Sequence, residues 1–344
     1  MFMIERRKLL LLTASLGISI ITLLFILFFT PYKITPETLD ALVRINPVFL
    51  SLAILTHLGA FVIWSIRLKL LSNFIINRES ELRGKELKLL KSVKTILASL
   101  FAACITPSQF GGEPARIYLL KKHGFSVGAA TAVVFGERVL DFTVIMVGAA
   151  ASFLLFRAVL PQHSIIYSIF TGIGACFAVG IVLMAFCLAK PEKASKVVDF
   201  VFLKIKLRRL RNQEAKFYQE LSNFFSAIKR FQSEGRSTLG LALIITVAFW
   251  LVAFTVPSIL LLGFGANPNW IYSIAAQFVL LIIVAIPVTP GSSGVAELSL
   301  TYLYHSMVGV SILGIFAVVW RLSTYYVDLI VGGITSVKVI SEMP

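Results

Sequence analysis

Eight charged residues lie inside apolar segments of the sequence: the acids Glu113, Glu137, Asp141, Glu297 and Asp328, and the arginines Arg116, Arg138 and Arg321. Their spacing is that of groups meant to meet. Glu113 with Arg116 and Arg138 with Asp141 are i,i+3 pairs, Glu137 with Asp141 is i,i+4, and Arg321 with Asp328 is i,i+7, so each set falls on one helical face. A charge left at the centre of a bilayer costs roughly 2.5–3.5 kcal/mol on insertion scales, so most of these must face one another or water. Arginine has a planar fork that holds phosphate oxygens bidentately. Arg116, Arg138 and Arg321 are therefore expected to converge on a phosphate or phosphodiester headgroup. Glu137, Asp141, Glu297 and Asp328 would balance charge or carry a proton. The competing expectation is a set of structural ion pairs that lock helices together.

Two interrupted segments would bring further groups to the same place. The apolar stretch 92–106 runs into Thr106-Pro107, then Gly111, Gly112 and Glu113; the stretch 270–288 runs into Thr289-Pro290, then Gly291, Ser292, Ser293 and Gly294. Proline and glycine together break a helix. Residues 95–105 cover only about 16 Å at 1.5 Å per residue, too short to cross, so a re-entrant hairpin returning on 114–122 is expected. Pro114 would be the first residue of that returning helix, with Glu113 at its N-cap; Ser292, Ser293 and Gly294 would open the second, with Glu297 in its first turn. Free N–H groups at such helix starts suit an anionic headgroup. The simpler expectation is that both glutamates complement the helix dipole. The second stretch, 270–288, is also long enough to span outright.

The elements that must position these residues are membrane spans. The 344 residues are 58% hydrophobic and 14% charged, with a mean hydropathy of +0.89; a soluble domain runs nearer 25% charged. Candidate spans are 9–29, 48–71, 125–156, 165–189, 239–263 and 309–335. The first is too long for a cleavable signal and is expected to be retained. The net charge of +15 sits in loops between spans, which points to a membrane surface and away from nucleic acid. Of 32 basic residues, 26 fall in the N-terminus, 67–94, 121–122, 190–238 and the tail at Lys338. The asymmetry puts both termini in the cytoplasm of a multi-pass cell-membrane protein.

The segments 264–269 and 301–308 carry no lysine or arginine, so the second hairpin is expected to enter from the side opposite the first. That is an inverted repeat, about 92–189 and about 239–335, within a single transmembrane domain over 1–344. A Thr-Pro-x-x-x-Gly pattern supports it: from Thr106 and from Thr289 it leads, 32 residues on, to Arg138 and Arg321. Between the repeats, 190–238 is basic and amphipathic, with Leu210, Phe217, Leu221, Phe224, Ile228 and Phe231 on one helical face. It reads as a cytoplasmic segment, lying either on anionic lipid or against the protein.

Cys104, Cys176 and Cys187 lie in apolar segments and read as small packing residues; His57, His123, His163 and His305 have no metal-ligand spacing, and no metal or cofactor is expected. There is no Gly-x-Ser-x-Gly, His-Glu-x-x-His or P-loop. Gly124-x-x-x-Gly128 has the spacing of a helix-packing motif and suggests a homo-oligomer.

The stretch Thr106-Pro107 through Gly111-Gly112-Glu113-Pro114-Ala115-Arg116, the Glu137-Arg138 pair with Asp141, and Pro290-Gly291 with Gly294 and Glu297 resemble the UPF0104 family. That family is also described as the flippase-like membrane region of lysylphosphatidylglycerol synthases, and the resemblance covers about 5–340. It implies a polytopic membrane fold and a role in lipid translocation. In full-length synthases a soluble domain transfers an aminoacyl group to phosphatidylglycerol. That domain has no counterpart in this sequence, so the activity is not carried over, and the lipid stays open between anionic phospholipid and polyprenyl-linked carriers.

The expectation is thus an all-α polytopic membrane protein of about six full transmembrane helices and two re-entrant hairpins. It would move an anionic or zwitterionic lipid headgroup between leaflets, one repeat rocking against the other. The alternatives are a membrane-embedded enzyme acting on lipid-linked substrates and a non-catalytic membrane partner of a separate synthase.

Overall fold

The computed structural model describes residues 40, 42–77, 86–106, 109, 111–156, 214–284, 292, 294–305 and 307–342. The expected spans 9–29 and 165–189, the stretch 190–213 and the tip residues Pro107, Pro290, Gly291 and Ser293 lie outside them. Among the described residues the structure is helical, without a strand. The helices are α1 (Pro47–Ile76), α2 (Leu89–Cys104), α3 (Gly112–Lys122), α4 (Val127–Phe156), α5 (Glu214–Glu234), α6 (Arg236–Phe254), α7 (Val256–Gly263), α8 (Trp270–Val284), α9 (Val295–Tyr304), α10 (Val310–Arg321) and α11 (Val327–Ser341). A π-helical turn, Leu322–Tyr326, joins α10 to α11.

Among the described residues, four helical stretches are long and apolar enough to cross a membrane: Pro47–Ile76, Val127–Leu155, Arg236–Gly263 and Ile312–Val339. They match four of the six expected spans. Local chemistry sets their ends. Asn46 caps α1, its Oδ1 accepting from Val48 N at 2.9 Å, with Pro47 in the first helical position. Arg236–Gly263 breaks at Thr255, just before Pro257, whose ring nitrogen has no proton to donate. α3 is capped just past its end by Gly124, with φ of +101°, and Phe125 N and Gly124 N turn back to Leu120 O and Lys121 O. That left-handed cap seats Phe125 in the core. It also places Gly124 in a turn before α4, so Gly124 and Gly128 do not share a helix face. The dimer expectation loses its basis there.

Helices α8 and α9 are short, and α2 packs on α3 as α8 packs on α9. In the second interrupted stretch the described helix, Trp270–Val284, covers 15 residues, about 22 Å. One core gathers α1, α4, α5 and α6 around Leu68, Leu71, Ile75, Val133 and Phe249; a second gathers α7 to α10 around Leu260, Leu280, Leu300, Tyr304 and Phe316. Inside the second, Gln277 Nε2 donates to Tyr304 OH at 3.0 Å, and Ser258 donates to Ser273 at 2.7 Å. Of the two settings open to the amphipathic segment, the described part takes the second. On α5, Ala227, Ile228 and Phe231 are buried and Phe224 meets Phe135 edge to face, so this face packs on protein. Leu210 lies outside the described residues, and the side chains of Phe217 and Leu221 are likewise undescribed.

Candidate functional site

The charged residues of the apolar segments fall into two groups and a link. The first group is built on Glu137 and Asp141 of α4. Glu137 Oε1 accepts from Trp64 Nε1 at 3.0 Å and from Arg67 Nε at 3.2 Å, while its Oε2 accepts from Arg116 Nη1 at 2.8 Å. Asp141 takes both terminal nitrogens of Arg67, at 2.6 and 3.1 Å, and the indole N–H of Trp250 at 3.1 Å. Arg67, Arg116, Glu137 and Asp141 are all buried. Arg138 bridges Glu113 at 2.5 Å and stands 3.5 Å from Asp141. The Trp64 ring lies 4.5 Å from the Arg116 guanidinium carbon, a cation–π contact that adds to its hold. Three arginines meet three carboxylates, so the group is formally neutral.

The second group is smaller. Arg321, at the end of α10, lies 2.9 Å from Glu297 of α9, and its guanidinium carbon stands 4.0 Å from the centre of the Tyr325 ring. Glu297 sits in the first turn of α9 and its Oε2 accepts from Gly294 N at 2.7 Å. The link is His57 of α1, whose Nε2 lies 2.8 Å from Asp328 Oδ1 of α11.

Two cavities open onto these groups. One, of about 360 Å³, is lined by Trp64, Glu113, Arg116, Arg138, Asp141 and Trp250; the other, of about 180 Å³, by Gln109, Gln277, Ser292, Arg321, Thr324 and Tyr325. His57 and Asp328 line both, with Leu100, Ala103 and Leu281. The two cavities are neighbours, with the His57–Asp328 pair among the residues that line both. Arg116 Nε and Arg138 Nε find no hydrogen-bond partner among the described residues. A buried donor left unpaired costs about 1–3 kcal/mol, so donors beside a cavity mark a place for acceptor oxygens.

Adding 183 to a residue number carries the first tip and Arg138 onto the second tip and Arg321, with the bridging glutamates Glu113 and Glu297 one residue out of register. Gln109 and Ser292 become equivalent, and both hold left-handed backbone, at φ of +62° and +55°. Gly111 and Gly294 become equivalent as N-caps of α3 and α9. Arg138 and Arg321 become equivalent, and each bridges a glutamate in the first turn of its short helix, Glu113 or Glu297. The two bridges differ in setting: side-chain exposures are 40% and 29% for Arg138 and Glu113, against 6% and 0% for Arg321 and Glu297. At the first tip Thr106 Oγ1 accepts from Gly111 N at 2.8 Å, while at the second Ser292 Oγ donates to Val284 O at 3.0 Å.

Three expectations need correction. The helix after the first tip begins at Gly112 with Gly111 as N-cap, so Glu113 is a first-turn residue and Pro114 the third helical residue. The Thr106–Gly111 bond closes the turn earlier than the proline suggested. Arg321 and Asp328 are not partners: the π turn between them adds about one residue to the winding and turns Asp328 toward His57. The convergence of the three arginines is partial: Arg116 and Arg138 share the larger compartment and Arg321 faces the smaller.

Sequence reasoning missed Arg67, Trp64, Trp250 and His57. Arg67 was grouped with the basic loop 67–94, yet it is fully buried and binds two carboxylates. A detectable signal was Trp64-x-x-Arg67, an indole and a guanidinium on one face of an apolar helix.

The family model described as the lysylphosphatidylglycerol synthase TM region matches residues 12–332. A UPF0104 membrane protein of Archaeoglobus fulgidus is 29% identical over 317 residues, 88% of this chain and 90% of the relative. Another, of Methanothermobacter thermautotrophicus, is 25% identical over 319 residues, 88% of this chain and 86% of the relative. No solved structure matches.

Proposed function

From the premise that this chain belongs to the lysylphosphatidylglycerol synthase transmembrane-region family, we propose that it translocates an anionic or zwitterionic lipid headgroup between leaflets, the acyl chains staying in the bilayer. One observation carries the reading. A cavity of about 360 Å³ among helices able to cross a membrane is walled by Arg116 and Arg138, each with an Nε that has no hydrogen-bond partner among the described residues. Planar guanidinium forks suit phosphodiester oxygens. The neutrality of the first group favours a headgroup that enters without net charge transfer, or one that exchanges with Glu113 for Arg138, the more exposed of the two bridges. Arg321 would take the headgroup over in the second compartment.

On this reading α2–α3 and α8–α9 act as the two re-entrant hairpins, the repeat offset of 183 as an inverted pair, and the cell membrane as the site of action with both termini cytoplasmic. Phospholipids or polyprenyl-linked lipids are the substrates, and a separate synthase is a natural partner.

The test is leaflet exchange. Purified protein goes into vesicles holding headgroup-labelled phosphatidylglycerol, phosphatidylethanolamine or a polyprenyl phosphate, with an impermeant quencher outside. Exchange that falls in Arg138→Ala and in Arg321→Ala supports the two-compartment route. Exchange indifferent to both removes these arginines from the route. Absence of exchange in wild type for every lipid would sink the translocation reading in favour of an enzyme or a partner protein.

A further inference from the structure

Of the five carboxylates in the apolar segments, four are held by arginine: Glu113 by Arg138, Glu137 by Arg67 and Arg116, Asp141 by Arg67, and Glu297 by Arg321. Asp328 takes His57 instead. The difference is chemical. A guanidinium keeps its proton in proteins, whereas an imidazole gains and loses one near neutral pH. The arginine pairs are fixed charge; the His57–Asp328 pair can change its charge.

Position points the same way. His57 lies ten residues into α1, about 15 Å from its start, and Asp328 lies eleven residues before Val339, about 16 Å from that end of its span. Both are near the middle of a hydrocarbon core of roughly 30 Å. Side-chain exposures are 12% and 16%, and both residues line both cavities, so the pair is in reach of water from either cavity. Neither side chain makes a second hydrogen bond or ion pair among the described residues, so His57 Nδ1 and Asp328 Oδ2 remain open to exchange. Ionisable residues at such depth are functional by default.

We infer that His57 and Asp328 form a proton-exchange site that couples proton movement to the lipid step and closes the boundary between the two compartments. The inference rests on the translocation reading. A proton entering by one compartment adds to Asp328, turning carboxylate into acid and removing its attraction for a protonated His57. The boundary then opens. The same proton leaves by the other compartment, the carboxylate re-forms and His57 closes on it. One proton is bound and one released per cycle, and the proton gradient across the membrane drives it. The groups facing the pair are Glu113, Arg116, Arg138 and Asp141 across the larger compartment, Arg321 across the smaller, Cys104 from α2 and the Phe61 ring of α1. The larger-side charges cancel within their own bridges.

The experiment uses the full chain in vesicles of phosphatidylglycerol and phosphatidylethanolamine, both headgroup-labelled, with a pH dye trapped inside and a one-unit pH step imposed. Coupling of one proton per lipid predicts about tenfold leaflet asymmetry in wild type, because one unit is a tenfold difference in proton activity. Dye response and asymmetry should both vanish in Asp328→Asn, and the swap of His57→Asp with Asp328→His should restore part of each. Melting temperatures check that the variants fold. Wild-type exchange that ignores the pH step, or Asp328→Asn that keeps the asymmetry, overturns the inference and leaves translocation standing. Proton movement that depends on Asp328 without any lipid exchange overturns the coupling and the translocation reading, leaving a proton pathway. Neither movement overturns both.

Discussion

The guanidinium of Arg67 grips the carboxylate of Asp141 with both terminal nitrogens, and neither residue is open to solvent. Thr246 and Trp250 of α6 complete the contact, so three helices meet on one ion pair. Removing one partner of a buried pair costs about 3–5 kcal/mol where the other charge is stranded; Arg67 keeps Glu137 at 3.2 Å, so the loss of Asp141 falls toward the lower end of that range. Asp141→Ala should therefore lower stability by that order in a detergent melt, and should do so whether or not lipid is present. A melt unchanged from wild type would mean that Arg67 finds another partner.

Arg138 and Glu113 form the most open of the bridges among the charged residues of the apolar segments. An exposed pair contributes at most about 1 kcal/mol, so Glu113→Gln should leave the melt nearly unchanged. Its effect should fall on exchange, because Arg138 is then freed toward the cavity. Arg138→Lys keeps the charge and loses the fork, and exchange should fall about tenfold if phosphate is held bidentately. A lysine variant as fast as wild type would show that the fork is not used.

Gly111 tests the first tip. A Cβ there would lie 2.5 Å from Ala102 O and 2.8 Å from Thr106 Oγ1, so Gly111→Ala must push α3 away from α2. Overpacking of this kind costs about 1–3 kcal/mol. It should also slow exchange, since α3 carries Glu113 and Arg116. Gly136→Ala, with no atom within 4 Å of the added carbon, is the matched control and should melt as wild type does.

At the surface, Lys94 holds Glu342 at 2.6 Å and keeps its carboxyl below the usual carboxylate range. A lowered folded-state value means that whatever the bridge contributes is present above the ordinary carboxylate pKa and is lost as pH falls through the lowered one. The group is solvated, so Glu342→Gln should leave the melting temperature unchanged within error from neutral pH downward. A pH-dependent loss in wild type that Glu342→Gln removes would give the bridge a larger part.

How much was legible follows from what each signal measures. Hydropathy reads whole spans, and it located α1, α4, the α6–α7 stretch and the α10–α11 stretch. The Thr106 pattern marked the break between α2 and α3, because proline and glycine act on the local backbone; most of the Thr289 pattern lies outside the described residues. The left-handed residues, Gln109 and Ser292, carry no such mark in their side chains. Partner choice was the weak point. Helical spacing paired Arg321 with Asp328, but one π turn redirected Asp328 across the bundle to His57. Arg67 was lost because an arginine two turns from the end of a span looks like a loop residue until the carboxylates on α4 are seen to face it.

Gly332 of α11 leaves no room for a side chain: a Cβ would fall 2.7 Å from Leu97 O and 2.9 Å from Phe101 N of α2. Two backbones in touch along such a seam travel as one body. Yet α2 stands in the first proposed repeat and α11 in the second. A hinge cut cleanly between the repeats would have to unzip this seam. A hinge that spares it carries the first tip along with Asp328 and leaves His57, on α1, to be approached or abandoned. On the proposed rocking of the repeats, the moving part would be a composite block with material from both, its edge running between His57 and Asp328.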